Sequence, residues 1–65
     1  MNELIGIKKQ GGYEIQLITD KGEKRYRGFM RTNKPAKYDP DVNSYQVSNQ
    51  HTTLWFDRVM ANGED

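Results

Sequence analysis

Residues 13–19 read YEIQLIT, and this alternation decides the fold class. Tyr13, Ile15 and Leu17 share one face of an extended chain, and polar residues separate them on the other face. Alternation of this kind is typical of a strand with one buried side. We therefore predict a strand whose Tyr13, Ile15 and Leu17 side chains point into the core.

The segments on either side extend this strand into a sheet. Residues 20–23 (DKGE) predict a tight turn in which Gly22 takes a positive φ. Residues 24–32 are then expected to pair back on the first strand as a hairpin. Residues 3–9 carry isoleucines two positions apart, which is strand spacing, and a turn at 10–12 joins them to the same sheet.

The second half of the chain is less regular. Residues 33–43 contain both prolines of the sequence, which cannot donate to a strand ladder, and we expect this to be the longest loop. Residues 44–49 alternate again and predict a strand. The tail at 62–65 is expected to fray.

Residues 52–60 (TTLWFDRVM) fit two structures. The β-branched and aromatic start favours a strand, whereas the stripe formed by Trp55, Phe56 and Val59 also fits helical spacing. We prefer the strand narrowly and keep a short C-terminal helix as the alternative. In the strand, Leu54 and Phe56 would point one way, and Trp55 and Val59 the other.

Four to five short strands separated by turns indicate an all-β protein. The expected architecture is a small antiparallel sheet or barrel, SH3-like or OB-like, formed by residues 1–65 as a single domain. The chain has no cysteine and one histidine, so a disulfide framework or a zinc site is not expected. Domains of this size without such support often oligomerise, and a homodimer is an open alternative.

Charge is distributed unevenly. Residues 21–37 carry seven cationic side chains against one anionic side chain, a local net charge of +6. The rest of the chain carries three against eight, a net charge of −5. Such a separation points to the kind of partner and not to the fold.

The basic segment contains KRYRGFMR at residues 24–31, in which two aromatic residues lie among four cations. Regular alternation places Arg25, Arg27, Phe29 and Arg31 on one exposed face, with Lys24, Tyr26 and Met30 turned toward the core. Arginine matches phosphate geometry, and an exposed ring can stack on a base. The predicted nucleic-acid-binding residues, for DNA or RNA, are Arg25, Arg27, Phe29, Arg31, Lys34 and Lys37, with Tyr26 as a second stacking ring.

A protein-interaction module is the alternative function. Tyr38, Trp55 and Phe56 are large aromatic residues of the kind that dominate interface energetics. With the 33–43 loop they would form a partner-binding surface of a homodimer, or of an inhibitor or adaptor of a larger protein. The basic hairpin would then meet an acidic protein surface.

No pattern indicates an enzyme, a cofactor or a membrane segment. Asp39, Asp41 and Asn43 match the start of a calcium loop, but serine follows where glycine is needed, and we interpret the aspartates as turn residues. His51 is interpreted as a turn residue because no acid accompanies it in sequence. We expect a cytoplasmic, non-enzymatic binding protein that has no metal or catalytic residues.

Overall fold

The computed structural model describes residues 2–61, which form strands, turns and loops. The seven strands are β1 Glu3–Lys9, β2 Gly12–Ile18, β3 Lys24–Arg31, β4 Lys37–Asp39, β5 Ser44–Ser48, β6 Thr53–Phe56 and β7 Arg58–Ala61. None of the described residues is helical, so the helix alternative for 52–60 is wrong. The segment is extended, as preferred, but it is divided at Asp57 into β6 and β7, which belong to different sheets. The predicted fraying at 62–65 falls outside the described residues.

The strands form two sheets. The first has the order β3-β2-β1-β7, and the second has the order β4-β5-β6. The all-β prediction is confirmed, but the finer architecture is different. There are seven strands rather than four or five, they do not close into a barrel, and β1 pairs with β7 in parallel, so the first sheet is mixed.

The hairpins of the first sheet follow the sequence prediction. β1 and β2 are joined by Gln10 and Gly11, whose φ is +86°. In the β2–β3 turn, Gly22 has a φ of +83°, as expected for a tight connection. The backbone N–H of Gly22 donates to the carbonyl of Thr19 at 2.9 Å, which closes the turn.

The core lies between the two sheets. Tyr13 and Met30 from the first sheet meet Val47 and Phe56 from the second, and all four are almost completely buried. Ile15 packs against this cluster, so the predicted inward face of β2 is confirmed at Tyr13 and Ile15. Aromatic side chains such as Tyr13 and Phe56 bury a large apolar area each, which matters in a domain of this size.

The chain bends at Asp57, between β6 and β7. The Asp57 N–H donates to the Leu4 carbonyl at 2.8 Å, and the Leu4 N–H donates to Asp57 Oδ2 at 2.8 Å. This bend changes the phase of alternation, so that both Phe56 and Val59 pack in the core. The expectation that Val59 would share a face with Trp55 is therefore wrong.

The 33–43 segment is less irregular than predicted, because β4 lies within it. The side chain of Asp39 accepts a hydrogen bond from the Asp41 N–H at 3.0 Å, which is the turn role expected for it. Asn43 completes the β4–β5 turn with a φ of 52° and accepts a hydrogen bond from the Tyr38 hydroxyl at 2.6 Å.

Candidate functional site

The edge strand β3 contains a β-bulge at Arg27. Ile15 pairs with Gly28, but the next residue, Gln16, pairs with Tyr26, which leaves Arg27 without an opposing residue. Gly28 has a φ of +151°, a conformation that residues with a side chain rarely adopt. A bulge adds one residue to a strand and redirects the side chains on either side of it.

The bulge brings both aromatic residues of KRYRGFMR to one face. Phe29 is opposite Glu14 and Tyr26 is opposite Gln16, and the Gln16 amide donates to the Glu14 carboxylate, so these four side chains lie on the same side. Tyr26 is 67% exposed and Phe29 is 43% exposed. The prediction that Tyr26 faces the core is therefore wrong.

Two cations flank these rings on the outer face of the sheet. Lys24 lies opposite Ile18, and Arg31 lies opposite Gly12, on the same side as the two aromatics. We refer to Lys24, Tyr26, Phe29 and Arg31 as the β3 row. The sequence prediction left Lys24 out of the site, because it assumed unbroken alternation along the strand.

Arg25 lies on the other side of β3. It is opposite Leu17, whose face is turned toward the second sheet, and its guanidinium lies 3.3 Å from Glu23 Oε1. The predicted common face of Arg25, Arg27, Phe29 and Arg31 is therefore not formed. Both members of the Arg25–Glu23 ion pair are well exposed, so the pair adds little stability.

Of the two predicted lysines, Lys37 lies away from the β3 row, whereas Lys34 lines a cleft together with Arg31. Lys37 on β4 is opposite Gln46, which is in turn opposite Trp55, so all three lie on the outer face of the second sheet. This face and the β3 row lie on opposite sides of the core. Lys34 follows the end of β3 and lines a cleft against the 49–51 turn.

The outer face of the first sheet has an apolar floor beside the β3 row. Ile5 and Ile7 lie on this face, are only 2% and 6% exposed, and line a groove together with residues of the neighbouring strands. Lys24, Glu14 and Arg58 are among the residues that line this groove. Of the β3 row, Lys24 lines this groove, whereas the two aromatic rings do not.

The predicted partner-binding aromatics do not form one surface. Phe56 is 0% exposed and lies in the core, so it offers no area to a partner. Tyr38 is half exposed and its ring is 5.0 Å from that of Tyr45, on the inward side of the second sheet. Trp55 is 44% exposed on the outward side, where no other aromatic residue lies on the three strands.

The cleft beside Lys34 is held together by two side chains. Thr32 is buried, and its hydroxyl donates to the Ser48 carbonyl at 2.7 Å. The Asn49 amide donates to the Arg31 carbonyl at 3.2 Å, and its oxygen accepts from the His51 N–H at 2.8 Å. His51 is thus in a turn, as predicted.

Chemical features of other kinds are limited in residues 2–61. This part of the chain holds no cluster of three or more histidine, aspartate or glutamate side chains placed to bind a metal ion. Nor does it contain a helix that would cross a lipid bilayer.

The chain was compared with protein-family models, with curated proteins and with solved structures, and none of them matches.

Proposed function

We propose that this protein binds single-stranded nucleic acid, and that the β3 row is its contact surface. The observation that supports the proposal is the bulge, which places Tyr26 and Phe29 side by side on one exposed face between Lys24 and Arg31. Proteins that bind single strands combine exposed rings, on which bases stack, with cations that contact the backbone.

The electrostatics of this edge support the same proposal. Arg27 and Arg31 make no side-chain ion pair with any residue among 2–61, so their guanidinium groups are available to phosphate. Glu14 lies on the same face, but its carboxylate is held by the Gln16 amide. The edge position of β3 matters as well, because no other strand within residues 2–61 pairs with its free edge.

The test is a salt titration of binding to fluorescent single-stranded DNA and RNA, with duplexes of the same sequences alongside. We expect single strands to bind more tightly, with log Kd changing by about 0.7 per contacted phosphate per log unit of salt. Phe29→Ala and Tyr26→Ala should each weaken binding about tenfold, since stacking of a base contributes about 1–3 kcal/mol.

Variants that remove one charge distinguish specific phosphate contacts of the β3 row from the general attraction of a basic protein for nucleic acid. Arg31→Ala should reduce the salt slope by about one phosphate equivalent. Lys37→Ala removes the same charge from the opposite side of the molecule and is the matched control, which should leave the slope nearly unchanged. Absence of binding at low salt, or equal losses for Lys37→Ala and Arg31→Ala, would contradict the proposal.

Protein interaction is the second candidate, and exposed Trp55 is the observation that favours it. In that case Trp55→Ala would abolish association with the partner, whereas Phe29→Ala would leave it intact. The two functions are therefore separated by the same pair of variants, because the two rings lie on opposite faces of the protein.

A further inference from the structure

We infer that the cleft between residues 31–34 and 49–51 binds a phosphate group. Arg31, Lys34 and His51 all line this cleft of about 360 Å³, and no acidic residue lines it. Arg31 belongs both to this cleft and to the β3 row, so the inference that the phosphate comes from a nucleic acid rests on the proposed function. The inference that the cleft binds phosphate does not depend on that function.

Among residues 2–61, no hydrogen bond or ion pair holds the side chains of Arg31, Lys34 and His51, which leaves them available to a ligand. The side chains that make its internal hydrogen bonds are those of Thr32 and Asn49, which bond to backbone groups of both walls. Thr32 Oγ1 also accepts a hydrogen bond from the Lys34 N–H at 3.1 Å, which holds the backbone at Lys34 in place. Three basic side chains are therefore presented from a backbone that is already ordered, which lowers the entropic cost of binding.

The chemistry of the lining selects an anion with several acceptor oxygens. Arginine donates in a planar fork, lysine supplies a compact charge, and the imidazole of His51 donates from a ring nitrogen. The neutral amide of Gln50 also lines the cleft and can donate. A phosphate group offers several acceptor oxygens to such donors, whereas chloride has none.

The cleft continues directly from the β3 row, since Arg31 is the last residue of β3. A nucleic-acid strand whose bases stack on Phe29 and Tyr26 would reach the cleft with a backbone phosphate or with a terminal phosphate. Either phosphate, or free inorganic phosphate, would accept hydrogen bonds from the same side chains.

The experiment is a titration of the whole protein with inorganic phosphate at constant ionic strength, observed by NMR of the backbone amides and the His51 ring. We expect saturable shifts confined to residues 31–34 and 49–51, with a Kd on the order of 1 mM. Lys34→Ala should weaken the affinity about tenfold, as expected for the loss of one charged hydrogen bond. Shifts that do not saturate, or that chloride reproduces, would overturn the inference.

Gln50→Glu is the sharpest variant, because it changes an exposed amide into a charge without altering size. Repulsion should reduce phosphate affinity at least tenfold while the thermal midpoint stays nearly constant. Lys37→Ala is the control and should have no effect. An unchanged affinity in Gln50→Glu would contradict the inference even if Lys34→Ala were unfolded.

Oligonucleotides with and without a 5′-phosphate identify the source of the group. Tighter binding of the phosphorylated strand, lost in Gln50→Glu, would assign the cleft to the strand end, and equal loss for both strands would assign it to the backbone. Phe29→Ala should weaken the oligonucleotide but not inorganic phosphate. If the protein binds inorganic phosphate but no oligonucleotide, the proposed function is refuted and the phosphate site is not. If it binds oligonucleotides but no inorganic phosphate, only the phosphate site is refuted.

Discussion

Gly6 determines how closely the two sheets approach each other at the centre of the core. A Cβ atom built at this position would lie 2.9 Å from two carbons of the Phe56 ring, closer than real Cβ contacts allow. Phe56 is itself 0% exposed and cannot move aside without displacing its neighbours. The glycine is therefore required by the contact, and its backbone has no unusual φ.

Gly6→Ala should lower the free energy of unfolding by about 1–3 kcal/mol, because the core would be overpacked. Urea unfolding followed by far-UV circular dichroism measures the change.

Phe56→Leu is the matched second variant, since it removes the ring that the new methyl group would meet. In that background Gly6→Ala should cost at least about 0.5 kcal/mol less than in the wild type, because contacting residues are coupled. Strict additivity of the two substitutions would show that the contact is not the cause.

Single residues of the site were predictable only in part. The sequence indicated the cationic and aromatic character of 24–31, and the structure keeps Phe29 and Arg31 exposed together. It indicated that Trp55 and Phe56 would point to opposite sides of a strand, but not which of them would be buried, because alternation leaves open which face is buried. Nor did it show that Asn49 would tie the His51 turn to β3, which depends on two segments distant in sequence.

Among the secondary-structure elements, β3 matters most for the proposed function, because its bulge brings Tyr26 and Phe29 to one exposed face. KRYRGFMR alternates well enough to be interpreted as a regular strand, and that interpretation separates Tyr26 from Phe29. The available signal was Gly28, since an isolated glycine in a strand often marks a bulge. The hairpins were easier to predict, because their turn glycines and strand alternation are local properties.

Gly28→Ala should destabilise the protein by about 1–3 kcal/mol, because alanine does not tolerate the φ that the bulge requires. There is open space around the position, so strain of the backbone and not a clash would be the cause. Thermal unfolding measures the effect.

The neighbouring Arg27→Ala keeps the bulge and is the control, with a stability change expected within about 0.5 kcal/mol. If the register relaxes in Gly28→Ala, cross-strand NMR contacts between Tyr26 and Gln16 should be lost. Equal stability of Gly28→Ala and the wild type would mean that the bulge is not under strain.

At the scale of the molecule, the two sheets share one core and have no separate cores of their own. Tyr13 and Met30 would be exposed if the second sheet detached, and so would Val47 and Phe56. The radius of gyration of 11.2 Å is close to the value of about 11 Å expected for a compact chain of this length. Neither sheet is therefore expected to persist alone.

Unfolding should be a single transition. Trp55 is the only tryptophan and reports on the second sheet, while far-UV circular dichroism reports on both sheets. The two signals should give the same midpoint in urea.

Val47→Ala, in a strand of the second sheet, should lower that midpoint for both signals together. The expected cost is about 2–3 kcal/mol, from lost burial and a residual cavity at a side chain that is 1% exposed. A tryptophan transition that moves without the dichroism transition would show that the sheets unfold independently.

The parallel pairing of β1 with β7 has a consequence for biosynthesis. β1 is synthesised before β7 and can form its hairpin with β2, but its other edge lacks its parallel partner until residues 58–61 emerge, since Ile5 pairs with Arg58. Until then an edge containing Ile5 and Ile7 is open to pairing with other chains, which is how unprotected strands aggregate. Emergence of β7, rather than formation of the first hairpin, thus closes this edge to other chains.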